Sequence, residues 1–285
     1  MESVYYQQRL DKVINFIGRH IDEDIALEQL SALFCVSKFH FHRLFTALTG
    51  LSLQQYIRWL RLKRAAHQLI VDQEQPIIHI ALNAGFASHE SFSRVFKKTC
   101  GLSPSEFRRQ KNWSYWERPP YCLPKRGEST MKVDIKHVSK TRLAMIEHRG
   151  DPKLMGNSVN KLVTWAKAQA INLKPKAGEA FAFAYDDPKT TAPEQFRFDL
   201  GIKVPEHLKL ENGVVEKYLP AGRYAVAMHR GSRDNVADTI YPLYREWLPA
   251  SCEQLGDLPC VFCYHNFDHE VADTESLTEV WLLLQ

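Results

Sequence analysis

Apolar residues recur at helical spacing through the first third of the chain. Leu10, Val13, Ile14, Ile17 and Ile21 predict an amphipathic helix over residues 4–21, and a second is expected over 27–34. A third starts after Ser37, a residue type that caps helix N-termini, and turns Phe41, Leu44, Phe45 and Leu48 inward. Lys38, Phe39, His42 and Arg43 are left on its outer face. A long helix runs from Leu53 to about Val71, apolar along Tyr56, Ile57, Leu60, Ala65, Ala66, Leu69 and Ile70. Arg58, Arg61, Lys63 and Arg64 form its basic side. Gln75-Pro76 separates it from a second unit, because proline disfavours helix in the residue before it.

That second unit repeats the design of the first. Ile77, Ile80, Ala81 and Ala84 open a helix, Gly85-Phe86 makes a turn, and Ser88 caps a helix exposing His89, Glu90, Ser91, Ser93 and Arg94. Ser103-Pro104-Ser105-Glu106 is a capping box with proline at the first helical position; it launches a short basic helix with Arg108, Arg109 and Lys111. Ser37, Arg43, Phe45, Gly50-Leu51-Ser52 and Tyr56 return 51 positions later as Ser88, Arg94, Phe96, Gly101-Leu102-Ser103 and Phe107. Two helix-turn-helix units in one chain imply a reader of duplex DNA. A connector of about 18 residues is roughly 27 Å long, near the roughly 34 Å between successive major-groove faces. An arginine can bind guanine bidentately, and an exposed Phe39 suits a thymine methyl.

Beyond the helical part, Asn112-Trp113-Ser114-Tyr115-Trp116 and the prolines at 119, 120 and 124 read as an extended connector over 112–130. Its aromatic residues are expected to dock one domain onto the other. From residue 131 the pattern changes to strands. Arg142 to His148-Arg149-Gly150 returns 81 positions later as Arg223 to His229-Arg230-Gly231. Each copy is a strand ending in glycine, a helix with one tryptophan (Trp165, Trp247) and two further strands, a β-α-β-β unit used twice. Such a pair encloses a groove suited to a ligand. Alternation puts Phe181, Phe183 and Tyr185 on one face of their strand; Phe262 and Tyr264 share a face likewise, as do Glu279 and Trp281. Glu279 in an apolar strand reads either as a solvated end position or as a carboxylate walled in by rings. The latter needs a partner, and a cationic aromatic ligand would supply one.

Charge divides the chain in the same place. Residues 1–126 hold 18 Lys and Arg against 11 Asp and Glu, a balance of +7, while 127–285 hold 19 against 22, a balance of −3. A basic first part suits a polyanion. The polar start Met1-Glu2-Ser3-Val4 is unlike a signal peptide, and no apolar run approaches the roughly 20 residues that span a bilayer. Six scattered cysteines fit a reducing cytoplasm rather than a disulfide framework. Cys260-Val261-Phe262-Cys263-Tyr264-His265, with His269 beyond, invites a zinc site, but Cys260 and Cys263 point to opposite sides of a strand, so no metal is expected. Asp186-Asp187 before Pro188 reads as a solvated turn, and no phosphate loop or nucleophile elbow occurs.

The ordered set Ile80-Ala81, Gly85-Phe86, Ser91-Phe92-Ser93-Arg94-Val95-Phe96-Lys97-Lys98, Gly101-Leu102-Ser103-Pro104 and Phe107-Arg108 resembles the DNA-binding domain of the AraC/XylS regulators, over residues 8–111. The resemblance implies that the helices after Ser37 and Ser88 enter consecutive major grooves. By motif position the expected DNA contacts are Phe39, His42 and Arg43 from the first, and His89, Glu90 and Arg94 from the second; Ser93 is expected beside them, and Lys38, Lys97 and Lys98 at phosphates. Arg61 joins the expected phosphate contacts. Cys35 departs from the family, many members of which carry glycine at the first turn; either a left-handed backbone there costs roughly 1 kcal/mol or the unit uses another turn.

Residues 131–285 resemble the GyrI-like small-molecule-binding domain through His148-Arg149-Gly150, Tyr185-Asp186-Asp187-Pro188, Gly222-Arg223-Tyr224, His229-Arg230-Gly231 and Thr278-Glu279. Glu279 sits where that family places its ligand-facing acid. Asp151-Pro152 and Ser232-Arg233 replace the family's Pro-Tyr after each glycine. The expected ligand contacts are Phe183, Tyr185, Tyr264, Glu279 and Trp281. The fold expected is thus two domains: an all-α double helix-turn-helix domain over 1–111, a linker over 112–130, and an α+β domain of two β-α-β-β repeats over 131–285. The expected function is a cytoplasmic, non-enzymatic DNA-binding regulator with a small-molecule effector and no cofactor, and RNA polymerase as partner. Two other readings stay open for the second half: a hydrolase using Glu279 with Trp281 or Tyr264, or a protein-interaction module.

Overall fold

The computed structural model describes residues 3–117, 131–171, 173, 178–267 and 271–285. Seven helices make the first part: α1 Ser3–Arg19, α2 Leu27–Phe34, α3 Lys38–Thr49, α4 Leu53–Val71, α5 Ile77–Asn83, α6 His89–Cys100 and α7 Pro104–Gln110. The expected helices of both units are present, with the 51-residue offset kept at both ends of α3 and α6. Each of these two helices runs 12 residues and stops at a glycine with positive φ, Gly50 at 73° and Gly101 at 82°. Ser52 and Ser103 then cap α4 and α7 with reciprocal boxes closed by Gln55 and Glu106. Phe41, Phe45, Tyr56, Phe92, Phe96 and Phe107 fill the core beneath.

Three local expectations need revision. Ser37 occupies the cap position of α3, but its hydroxyl is buried without a partner, unlike Ser88, which accepts from the Ser91 amide. Arg61 and Arg64 do not lie free for phosphate. Arg61 donates twice to the Ile21 carbonyl, and Arg64 forks onto Asp22 at 2.5 and 2.6 Å. Trp113 and Trp116, expected in a connector that docks the domains together, fold back on the helical part. Ser114–Trp116 is a short 3-10 turn, and Trp116 is fully buried against Trp59 and Phe96. The remainder of the expected linker, 118–130, and His269 lie outside the described residues. Cys35 does adopt the left-handed conformation, at φ 55°.

The second part is one curled antiparallel sheet with helices on one face. Its elements are β1 Val133–Val138, β2 Thr141–Arg149, α8 Met155–Ala168, β3 Ala180–Ala184, β4 Arg197–Lys203, β5 Val215–Leu219, β6 Gly222–Arg230, α9 Ala237–Pro242, α10 Leu248–Ser251, β7 Cys260–Tyr264 and β8 Leu277–Leu284. The strand order is β1-β6-β8-β7-β3-β4-β2-β5. Each repeat therefore gains a strand beyond the expected β-α-β-β unit. These first strands are exchanged: β1 pairs with β6 of the second copy, and β5 pairs with β2 of the first. The duplication reaches side-chain detail. His148 bonds Ser158 and the Asp151 carbonyl, and His229 bonds Thr239 and the Ser232 carbonyl in the same way. Gly150 and Gly231 share a φ of 111°. The second helix is less regular than the first: Pro242 lacks an amide donor, and a π-helical turn, Leu243–Trp247, joins α9 to α10.

Candidate nucleic-acid interface and ligand cavity

The two reading helices share length, a C-terminal glycine and core residues, yet their outer faces differ. On α6, Glu90, Arg94, Lys97 and Lys98 are exposed, and His89 and Ser93 half-buried. This face is open and mostly basic. On α3, Lys38 and His42 are exposed and Phe39 is half-buried, but Arg43, the counterpart of Arg94, is only 5% exposed. The cover is the second domain, where α3 packs against α9 and the π-helical turn.

The contact is polar as well as apolar. Arg43 Nη1 donates to the Ala184 carbonyl at 2.8 Å and Nη2 to the Asp186 carbonyl at 3.1 Å. His40, fully buried, lies with Nδ1 2.7 Å from the Tyr244 hydroxyl and Nε2 3.2 Å from the Gly256 carbonyl. Burial, with the Arg43 guanidinium beside it, pushes the His40 imidazole down to about 3. Phe39 meets Tyr185 edge-on at 5.4 Å between centroids. From α1, the Tyr6 hydroxyl reaches the Glu253 carbonyl at 3.1 Å. The buried position of Arg43 corrects the expectation of an outer face. Helical periodicity distinguishes core from non-core, and a face turned from its own domain's core is free to meet another domain.

Between α8, α9 and the sheet lies a cavity of about 920 Å³. Its floor is apolar, with Ala180, Ala184, Phe198, Leu200, Ile202 and Phe262, and its walls carry Met155, Leu162, Ile240 and Tyr241. Among the described residues five cations line it (Arg43, Lys153, Lys167, Lys189 and Arg233) against three acids (Asp186, Asp187 and Asp234). Two of those acids are already engaged: Asp186 holds Arg197 at 2.8 Å, and Asp187 accepts from the Tyr241 hydroxyl. Asp186-Asp187 is thus no merely solvated turn.

The expected ligand residues divide between the two faces of the sheet. Tyr264 lines the cavity, beneath the Arg233 guanidinium at 4.5 Å from its ring. Phe183 and Trp281 pack on the opposite face with Phe181, Val261 and Cys263. Register explains this: Phe262 and Tyr264 pair with Ala182 and Ala180, so their rings fill the space the alanines leave, while Phe181 faces Cys263. Tyr185 stands at the domain contact, its hydroxyl 2.6 Å from Asp199.

Glu279 also faces away from the cavity, and its partner is internal. Burial works to raise its carboxyl, but Lys136 Nζ at 2.8 Å and Trp281 Nε1 at 2.8 Å hold it below the usual range. The same lock stands in the other repeat, where Lys217 Nζ lies 2.5 Å from Asp199. A cationic ligand is therefore not needed to neutralise Glu279. Lys136 belongs to a strand that the sequence pattern did not reveal. Cys263, His265 and Glu279 gather within 4.8 Å. Lys136 Nζ already supplies a positive charge facing Glu279 there, and burial raises the Cys263 thiol.

Comparison with known proteins adds an independent line. The GyrI-like small molecule binding domain family matches residues 131–285, and a helix-turn-helix domain family matches residues 30–110. The chain is 37% identical over 156 residues to the probable transcriptional regulator YgiV of Escherichia coli K12, spanning 54% of this chain and 97% of that protein. It is 35% identical over 103 residues to the regulatory protein SoxS of Salmonella typhimurium, spanning 36% and 95%. The right origin-binding protein of Escherichia coli K12 is similar at 38% identity over 113 residues, 39% of this chain and 38% of that protein.

Proposed function

Because the chain belongs to the GyrI-like small-molecule-binding family, here joined to an AraC-type DNA-binding domain, we propose that both helix-turn-helix units read adjacent turns of one operator. The observation that carries this reading is the pair of 12-residue helices, each ended by a left-handed glycine, with the 19-residue α4 between them. A helix of that length spans about 28 Å. Base contacts fall to Arg43 and Arg94, with Phe39, His42, His89, Glu90 and Ser93 beside them; phosphate contacts fall to Lys38, Lys97 and Lys98. Arg94→Ala is expected to weaken specific binding by about 1–3 kcal/mol and relax preference at one base pair. Binding to variant duplexes measured by fluorescence anisotropy checks this; unchanged specificity would remove Arg94 from the base contacts.

For the effector we propose an apolar small molecule with an anionic end, held in the 920 Å³ cavity by apolar walls, Tyr264 and the excess of cations. Dye titration separates charge types. An anionic naphthalene sulfonate should bind at least tenfold more tightly than a cationic dye of similar size, and Tyr264→Ala should weaken it. The reverse order would restore a cationic ligand. A binding role is favoured over hydrolysis, because Glu279 and Trp281, already bonded to each other, face away from the cavity that Tyr264 lines. RNA polymerase is the partner expected of a transcription regulator. Relatives named as transcriptional regulators support action in the cytoplasm; among the described residues no helix is long and apolar enough to cross a membrane.

A further inference from the structure

Arg43 belongs to two places at once. By its position in the first unit it is a base-reading arginine; in the structure it is buried in the second domain and forms part of the ligand cavity wall. We propose that the second domain masks the first reading helix, and that Arg43 is handed between the cavity wall and DNA. This rests on the DNA-reading role proposed above for α3.

Three observations carry the inference. First, α3 and α6 form an internal control. They share sequence frame, length and C-terminal glycine, yet Arg94 is exposed and Arg43 covered. The covering is thus imposed from outside the unit. Second, the cover fits this particular face. Two backbone carbonyls, of Ala184 and Asp186, converge on one guanidinium, and His40 is held from both ring nitrogens by Tyr244 and Gly256. Buried donors gain most where acceptors are already placed. Third, the same atoms cannot serve DNA. A helix face enclosed by protein cannot enter a major groove, so α3 reads bases only after the domains part.

Linkage then sets the consequences. If only a fraction of molecules is open, the apparent DNA affinity falls by that fraction. A ligand that touches the Arg43 wall binds the closed form better than the open one. It therefore lowers DNA affinity, and DNA lowers ligand affinity by the same factor. In the closed form α6 remains available, which leaves one reading head free to hold DNA weakly.

The test uses the full chain and a duplex selected by the wild-type protein. Tyr244→Phe removes the hydroxyl bonded to His40, and Tyr185→Ser removes the ring against Phe39; neither residue is a proposed DNA contact. Both variants should bind the duplex about tenfold more tightly than wild type. Hydrogen exchange on the wild type gives a second readout that needs no variant. Adding DNA should speed exchange across 240–247 and 255–258, the segments that α3 covers. Should either variant misfold by circular dichroism, the exchange result decides. Unchanged exchange on DNA, or variants no tighter than wild type, would overturn the mask while leaving DNA reading by α6 intact. A wild-type chain with no preference among duplexes would overturn the DNA reading and the mask together.

Discussion

Asp199→Ala is expected to lower the unfolding free energy by about 3–5 kcal/mol, the range for breaking a buried ion pair from one side. Asp199 has no exposed surface. It accepts from Arg149 Nη1 at 2.6 Å, Lys217 Nζ at 2.5 Å and the Tyr185 hydroxyl at 2.6 Å. Removing the carboxylate leaves two cations and a hydroxyl around an apolar methyl. Arg149 and Lys217 retain Glu147 and partial contact with water, which places the loss toward the lower end of the range. The strands involved, β2, β4 and β5, join the first repeat to the exchanged strand, so the effect is on the whole sheet. Urea denaturation followed by circular dichroism measures it. A loss under about 1 kcal/mol would mean the cluster is solvated in solution.

Arg43→Ala is expected to act on the domain contact and on DNA with opposite signs. A hydrogen bond from a charged donor contributes about 1.5–3 kcal/mol. Losing both bonds should therefore weaken the contact by about 3 kcal/mol or more, leaving the Ala184 and Asp186 carbonyls without that donor. Opening the chain favours DNA, whereas losing a bidentate base contact costs about 1–3 kcal/mol at one position. The net expectation is similar affinity with relaxed sequence preference, and a thermal transition that separates into two steps as the domains uncouple. Calorimetry together with anisotropy on matched and mismatched duplexes reads both effects. A single transition at the wild-type temperature would contradict the role given to Arg43 at the contact.

The helical domain was legible because its signals are local. Ser103 with Glu106 marks a helix start within four residues, and the repeated Gly50 and Gly101 fall at the stops. Cys35 in a left-handed turn followed instead from the family resemblance, which places glycine there. The second domain was legible as a duplication, through His148 and His229 and the glycines after them. What escaped depended on distant residues. Strands β1 and β5 are edge strands with mixed polar and apolar faces, so their pattern is weak; missing β1 hid Lys136, and without Lys136 the acid at 279 lacked a partner. Alternation along β8 correctly grouped Glu279 with Trp281. It does not say which face borders the cavity, because helices cover one side and the curl of the sheet encloses the other. The burial of Arg43 depends on residues some 140 positions away, Ala184 and Asp186, which no periodicity within α3 encodes.

Hydroxyl-radical footprinting of the full chain on a duplex selected from a random pool tests the central claim most directly. Two reading helices on one stiff connector should protect two tracts about 10 base pairs apart on the same face of the DNA. Arg94→Ala should erase sequence preference in one tract and spare the other. A single protected tract even for an opened variant such as Tyr244→Phe, or protection that ignores sequence, would contradict the account.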